Sequence, residues 1–399
     1  MTEIPSNATI GDRSFVARAR AHAAVAATEA ADLERRRELT PAVLAALDDS
    51  KLVRMLMPKS MGGEEADFVA LNNVIATVSA GDASTGWCMA QALTSTHATG
   101  YLPPDALDEV FLSTNGIVCW GPPAGLAKAV VVEGGYRVTG KWRFGSGGHH
   151  SQWFGGHSIV HDGDKPRLDD KGQPVFRTML FPREKANIID AWHTLGLRGT
   201  RSNDYTATDL FIPEKYTTWR DSQADRREPH PFYSIPMLTL YGIAFSGVAI
   251  GLAEACLAEF MKLAETKKGG GPFAGATATL SNNAAVRVEV ARQRAKFRSA
   301  RAFLHEMFRE TWDSLVAGED LSLQKRADLR LSVTGAMTTC REIVDFAFTA
   351  AGTNAIFDGS PFERRFRDMH TLMAHGQAQA SNFESAGEAL FGSEPRNRL

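Results

Sequence analysis

The feature that most constrains this chain is a change of hydrophobic period that happens twice. Up to Gly116 apolar residues recur at helical steps, from Ile117 they gather in short β-branched and aromatic runs, and after Pro236 the helical period returns. No helical pattern separates one strand-like run from the next, so a doubly wound parallel sheet is not supported. The order reads α, then β, then α. The expectation is an α+β protein with a helical domain over residues 1–116, a small antiparallel β domain over 117–228 and a helical bundle over 229–399.

In the first segment an Ala-rich, charged stretch (Val16 to Arg37) leads to Thr40-Pro41, an N-cap with proline at the first helical position. Further helices are expected near Ala66 to Ser79, Thr85 to Ala98 and Pro104 to Phe111. In the second, Ala129 to Val132 and Tyr136 to Thr139 flank Glu133-Gly134-Gly135, a hairpin signal. Tyr136, Val138, Trp142 and Phe144 share one parity and Arg137, Thr139, Lys141 and Arg143 the other, so one face is apolar. Strands are also expected at Ile117 to Trp120, Trp153 to Val160, Phe176 to Phe181 and Tyr205 to Ile212, with a solvated loop from His161 to Pro174. In the third, helices near Met237 to Lys267, Asn283 to Ala317, Ser322 to Ala350 and Pro361 to Leu390 make a four-helix bundle.

Composition enters as exclusion. Lys and Arg total 44 against 46 Asp and Glu, so no global field favours nucleic acid or an anionic membrane. Pro229 to Ala253 lacks charge, but its helical part is short of the roughly 20 residues needed to span a bilayer, and reads as a buried core helix. Cys88, Cys119, Cys256 and Cys340 are scattered without a CxxC pair; this argues against a zinc site or disulfide framework and fits a reducing cytoplasm. The polar start, Met1 to Asp12, does not read as a secretory signal. Neither a P-loop nor a complete GxGxxG occurs, and no HExxH or GxSxG. His149-His150 with His157 is the only histidine cluster, and polar histidines at a strand entrance read as solvated or hydrogen-bonded; no metal is expected.

Four patterns remain: Met57-Pro58-Lys59-Ser60-Met61-Gly62-Gly63; Gly140 to Gly147 ending at Trp153; Gly196-Leu197-Arg198-Gly199-Thr200-Arg201-Ser202-Asn203-Asp204; and Arg364-Arg365-Phe366-Arg367-Asp368-Met369-His370 running to His375. In this order on an α, β, α chain they resemble the acyl-CoA dehydrogenase fold over nearly the whole length. Within it they resemble the flavin-dependent monooxygenases, the oxygenase components of two-component hydroxylases. Many dehydrogenases of the fold carry a catalytic glutamate eight residues beyond the Asp of the Arg-Asp pair; here that position is Gly376, which argues against desaturation.

The resemblance implies reduced flavin (FMN or FAD, since no fingerprint reads the adenylate) delivered by a separate reductase. Oxygen then adds at the flavin C4a, and one atom is transferred to a small, aromatic or heteroaromatic substrate. By resemblance Ser146 holds flavin N5, and it would share the apolar face of Trp142 and Phe144 if the strand persists. Trp120 and Trp142 are candidates to wall the ring, and Arg198 and Ser202 resemble the segment beneath it. Gly352 and Thr353 resemble the segment that meets a neighbour's flavin tail in a homotetramer. His375 is the candidate to bond the substrate or take its proton, with His370 about 140° away if both lie on one helix. Ser95 and His97 are candidates on the substrate side. Two other readings stand beside this one: an acyl-CoA dehydrogenase or oxidase with tightly held FAD, and a non-catalytic helical scaffold.

Overall fold

The computed structural model describes residues 10–269 and 278–395, so most of the polar start from Met1 to Asp12 lies outside the described residues. The first segment forms α1 (Ile10–Arg36), α2 (Pro41–Ser50), α3 (Phe68–Gly81), α4 (Ala83–Ser95) and the short α5 (Pro104–Leu107). Their starts are set by side chains that accept otherwise orphaned backbone N–H groups. Thr40 Oγ1 accepts from Val43 N (3.4 Å), Asp67 Oδ1 from Ala70 N (2.7 Å) and Asp82 Oδ1 from Thr85 N (2.8 Å).

Nine strands follow: β1 (Val118–Gly121), β2 (Lys128–Val132), β3 (Gly135–Gly145), β4 (Trp153–Asp162), β5 (Lys165–Pro166), β6 (Phe176–Pro182), β7 (Asn187–Ile189), β8 (Asn203–Pro213) and β9 (Thr217–Thr218). They form one sheet in the order β7-β8-β3-β2-β4-β6-β9, with β1 and β5 both paired to β4. The expected wholly antiparallel sheet is corrected here: β2 and β3 make the predicted hairpin, but β4 runs parallel to both β1 and β2. A hairpin signal reports only the pairing of consecutive strands. The return of β4 alongside β2 is a non-local choice.

The predicted parity holds as far as Trp142 and then fails. Tyr136, Val138 and Trp142 are buried and Arg137, Thr139 and Lys141 point outward, but the β3–β8 register shifts between Trp142 and Gly145. Phe144 adopts φ +59° and is exposed, so Ser146 leaves the sheet rather than continuing its apolar face. Trp142 is wholly buried, stacked 5.4 Å from Tyr205, and its Nε1 donates to His157 O (2.9 Å). A Cβ on Gly156 would lie 2.5 Å from the indole, so the glycine is what admits it. Trp142 is therefore core of the β domain, not a wall of a cofactor site.

The last segment comprises α6 (Met237–Thr266), α7 (Ala284–Val316), α8 (Leu323–Ala351), α9 (Pro361–Leu372) and α10 (Ser381–Leu390). Helix α6 is apolar around most of its circumference and lies buried against α3 and α8. The close approach of α3 requires Gly251, whose Cβ would sit 2.2 Å from Ala76 O. The fourth bundle helix expected from Pro361 to Leu390 is broken. After Leu372 the chain turns through a 3₁₀ segment, Gly376–Ala378, where His375 Nδ1 accepts from Gln377 N (3.2 Å) and Asn382 Nδ2 donates to Gly376 O (2.9 Å) and Gln377 O (3.0 Å). Side chains here compete with the helical ladder for the backbone.

Truncation of Trp142 to alanine is expected to destabilise the protein by about 3–5 kcal/mol, read as a lower urea midpoint. A loss of flavin affinity with unchanged unfolding would return Trp142 to the cofactor site.

Candidate active site

The fifth residue of α4, Trp87, is the hub of the site. Its ring stacks on Phe245 of α6 at 4.2 Å and 5°, and its Nε1 donates to Ser146 Oγ (2.9 Å). One turn earlier on α6, Tyr241 stacks on Phe245 at 5.7 Å, and its hydroxyl accepts from Trp120 Nε1 (2.8 Å). His375 meets both Trp87 (5.3 Å) and Phe245 (4.9 Å) edge-on. Five chain segments far apart in sequence thus meet around one aromatic stack.

Beyond Ser146 runs a short hydroxyl chain. Ser146 Oγ lies 2.7 Å from Ser202 Oγ, which lies 2.7 Å from Thr200 Oγ1, and Thr200 donates to Leu197 O (2.8 Å). The carbonyl at the end can only accept, which fixes the direction of every bond: Thr200 donates to Leu197, Ser202 to Thr200, Ser146 to Ser202. Ser146 has then spent its one proton. It accepts from Trp87 with one lone pair and keeps the other.

The loop that carries Ser202 is strained and tied down. Leu197 (φ +50°) and Arg201 (φ +43°) take left-handed conformations that cost non-glycine residues of order 1–3 kcal/mol each. Leu197 N donates to Asp368 Oδ1 (2.6 Å), and Gly196 lies so close to α9 that a Cβ would sit 2.2 Å from Arg367 O. Arg201 pairs with Glu38, which also takes His149 Nε2 (3.0 Å). Asp368 itself is buried; desolvation and the neighbouring Asp82 push its pKa up to about 7, against the help of Leu197 N–H and Arg364.

Residues 243–380 match the family model "Acyl-CoA dehydrogenase, C-terminal domain". The chain is 30% identical to indole-3-acetate monooxygenase of Pseudomonas putida over 91% of its own length and 90% of that protein. The chain belongs to the flavin-dependent monooxygenases of the acyl-CoA dehydrogenase fold. It is also 26% identical to the flavin-dependent monooxygenase oxygenase subunit HsaA of Rhodococcus jostii, covering 88% of this chain and 89% of that one. XiaF from Streptomyces sp., solved in complex with FADH2 and glycerol, superposes with a TM-score of 0.86 at 25% identity, with 97% of each chain covered.

Of the residues singled out in the sequence, the fold brings Ser146, Ser202, Trp120 and His375 to this site and sends the others elsewhere. His370 Nε2 pairs with Asp345 Oδ1 (2.8 Å) on the α8–α9 surface, and the helical angle between the two histidines does not apply because α9 ends between them. Ser95 Oγ donates to Ala92 O (2.7 Å) and accepts from Val118 N (3.5 Å), closing the end of α4 onto β1. His97 is fully buried among Tyr101, Phe232 and Tyr233, with no well-formed hydrogen bond at either ring nitrogen; burial and the Arg220 charge hold its pKa well below the usual value. Arg198 pairs with Glu34 (3.3 Å), which Arg367 also takes (2.7 Å). Gly352 and Thr353 lie exposed at the end of α8. The three clustered histidines diverge: His149 to Glu38, His157 Nδ1 to Thr178 Oγ1 (2.8 Å), and His150, half-buried, with Nε2 unpartnered among the described residues.

Sequence reasoning left Trp87, Tyr241 and Phe245 unassigned. Tyr241 and Phe245 carry a signal, a four-residue spacing on an uncharged helix, but nothing local says that Trp87 reaches Ser146.

Because Asp368 holds a proton in the folded state that it loses in the unfolded one, stability should fall as pH rises from the ordinary carboxylate range toward about 7. Asp368→Asn keeps an acceptor for Leu197 N–H and should flatten that part of the pH–stability curve, measured by urea unfolding at several pH values. An unchanged slope would contradict the assignment.

Proposed function

We propose that this chain is the oxygenase component of a two-component system, taking reduced flavin from a separate reductase and hydroxylating a small aromatic substrate. The observation that carries the reading is the spare acceptor on Ser146. Reduced flavin presents an N–H at N5, and a hydroxyl already committed as donor to Ser202 offers that N–H an acceptor and offers a deprotonated N5 nothing. The residues present therefore fit the group. When bound, reduced flavin supplies the electrons that activate O2, with one oxygen atom going to the substrate and the other leaving as water.

The chain's own residues supply position and exclusion. Trp87 fixes the Ser146 hydroxyl, and the Trp87–Phe245–Tyr241 stack makes an apolar wall that keeps water from the reacting atoms. His375 contributes a donor rather than a base. Packing between Trp87 and Phe245 pushes its pKa down to about 4, and because Nδ1 accepts from Gln377 N, the neutral ring carries its proton on Nε2. An Nε2–H aimed at a substrate oxygen would hold a phenolic or enolic group and its developing charge. With its pKa pushed down to about 4, the ring is a weak base for a substrate proton.

The relative that acts on indole-3-acetate supports an aromatic substrate. A homotetramer is supported by the exposed run Gly352, Thr353, Ile356 and Phe357, apolar surface of the kind subunits cover. Four buried free thiols accord with a cytoplasmic location.

Three measurements test the reading. When the reduced flavin complex is mixed with O2, the absorbance of oxidised flavin should return slowly, and Ser146→Ala should speed that return roughly fivefold to tenfold with more peroxide released, the worth of one hydrogen bond. Immediate return in the wild type with either FMN or FAD would sink the proposal. His375→Phe should lower hydroxylation about a hundredfold. Wild-type turnover should show no histidine inflection between about pH 5 and 8, because His375 stays neutral there.

A further inference from the structure

Three arginines surround the start of α6 with no carboxylate to pair them. Arg220 is 6% exposed and Arg330 7%, yet among the described residues no Asp or Glu oxygen lies within 4.0 Å of the guanidinium of Arg220, Arg326 or Arg330. Arg220 lies 4.0 Å over the Trp120 ring, and among the described residues its guanidinium hydrogen-bonds only to Met237 Sδ (3.4 Å). Arg330 is bonded to the neutral Gln377 side chain, and Arg326 Nε is buried without a partner. The nearby acids have partners other than these arginines: Asp221 Oδ1 accepts from Met237 N (3.1 Å), and Asp225 pairs with Arg177 (3.2 Å). Burying an unpaired cation is costly unless an anion joins it.

The space for that anion exists. Arg220 and Arg326 both line a cavity of about 270 Å³, together with Asp221, Ser234, Met237 and Leu238; the Asp221 carboxylate is turned to the α6 N-terminus, where it caps Met237 N. A cavity of about 150 Å³ takes a benzene-sized ring, so there is room for a carboxylate on a short arm. Both sides of the cavity are wired to the aromatic site. Arg220 stacks on Trp120, whose indole N–H holds Tyr241, and Leu238 O accepts from Gln377 Nε2 (2.8 Å), whose backbone N–H holds His375. None of Ser146, Ser202, Arg198 or Gly352 lines it.

The geometry points to a subsite for the carboxylate of an aromatic acid substrate, bound by Arg220 and Arg326, with the ring directed to the Trp120–Tyr241 side. This rests on the monooxygenase reading for the word substrate, but not for the anion site. Guanidinium favours carboxylate because its planar fork matches the two oxygens.

The test is calorimetric titration of the full-length protein, without flavin, with indole-3-acetate and its neutral isostere indole-3-acetamide. The wild type should bind the acid roughly tenfold to hundredfold tighter than the amide, and both Arg220→Gln and Arg326→Gln should erase most of that ratio. A merely structural role for Arg220 would weaken acid and amide alike. Equal affinities in the wild type, no binding of either probe, or a ratio that survives both substitutions would overturn the subsite. So would a loss confined to FMN or FAD affinity, measured in parallel, since it would assign the arginines to a flavin phosphate. Acid preference without any flavin-dependent oxygenation would instead overturn the proposed function and leave the anion site standing.

Discussion

Burial of α6 is the constraint on which the other parts depend. From Met237 to Ala253 it carries no charge, so it can only be stable with other elements on nearly every side, and α3 and α8 provide them. Where α3 comes closest the sequence has Gly247 and Gly251, and Asn72 Nδ2 reaches across to Ile243 O (2.9 Å) and Ser246 Oγ (3.1 Å). Once the helix is fixed in this way, Tyr241 and Phe245 are fixed with it. The wall of the site is one face of a core helix, which is why it can be both apolar and rigid.

Against this rigid wall the polar parts of the site are held by charges and strain. The loop carrying Ser202 contains two residues in left-handed conformations and would relax if left to itself. Asp368 on α9 and the Arg201–Glu38 pair hold it. Placing Asp368 in a dry environment beside Asp82 raises its pKa, so the anchor itself carries a cost that grows with pH. The hydroxyl chain gains its direction from a single carbonyl, Leu197 O, in the same loop. Strain, anchor and proton direction therefore converge on Leu197 and Asp368.

Much of the fold is legible in the sequence because it rests on local periodicity. Thr40-Pro41 marks the start of α2, the Glu133-Gly134 turn the β2–β3 hairpin, and the alternation from Tyr136 to Trp142 the buried face of β3. The misreadings occur where a non-local contact overrides the period. Phase is lost at Phe144 because β8 shifts register against β3, and the helix through His375 breaks because Gln377 and Asn382 redirect its hydrogen bonds. Parallel pairing of β4 with β1 and β2 leaves no trace in either strand alone.

The sequence by itself determined the α, β, α order, the family through its four motifs, and the presence of Ser146, Ser202 and His375. These follow from spacing and residue type, which are properties of short segments. Only the tertiary structure decided that Trp142 is core while Trp87 is hub, and that His370 belongs to a surface pair and His97 to a closed aromatic cage. It alone showed three arginines sharing one unpaired neighbourhood. The physical reason is that burial, hydrogen-bond direction and charge pairing depend on which groups meet across sequence separations of tens to hundreds of residues, and those encounters are settled only when the whole chain packs.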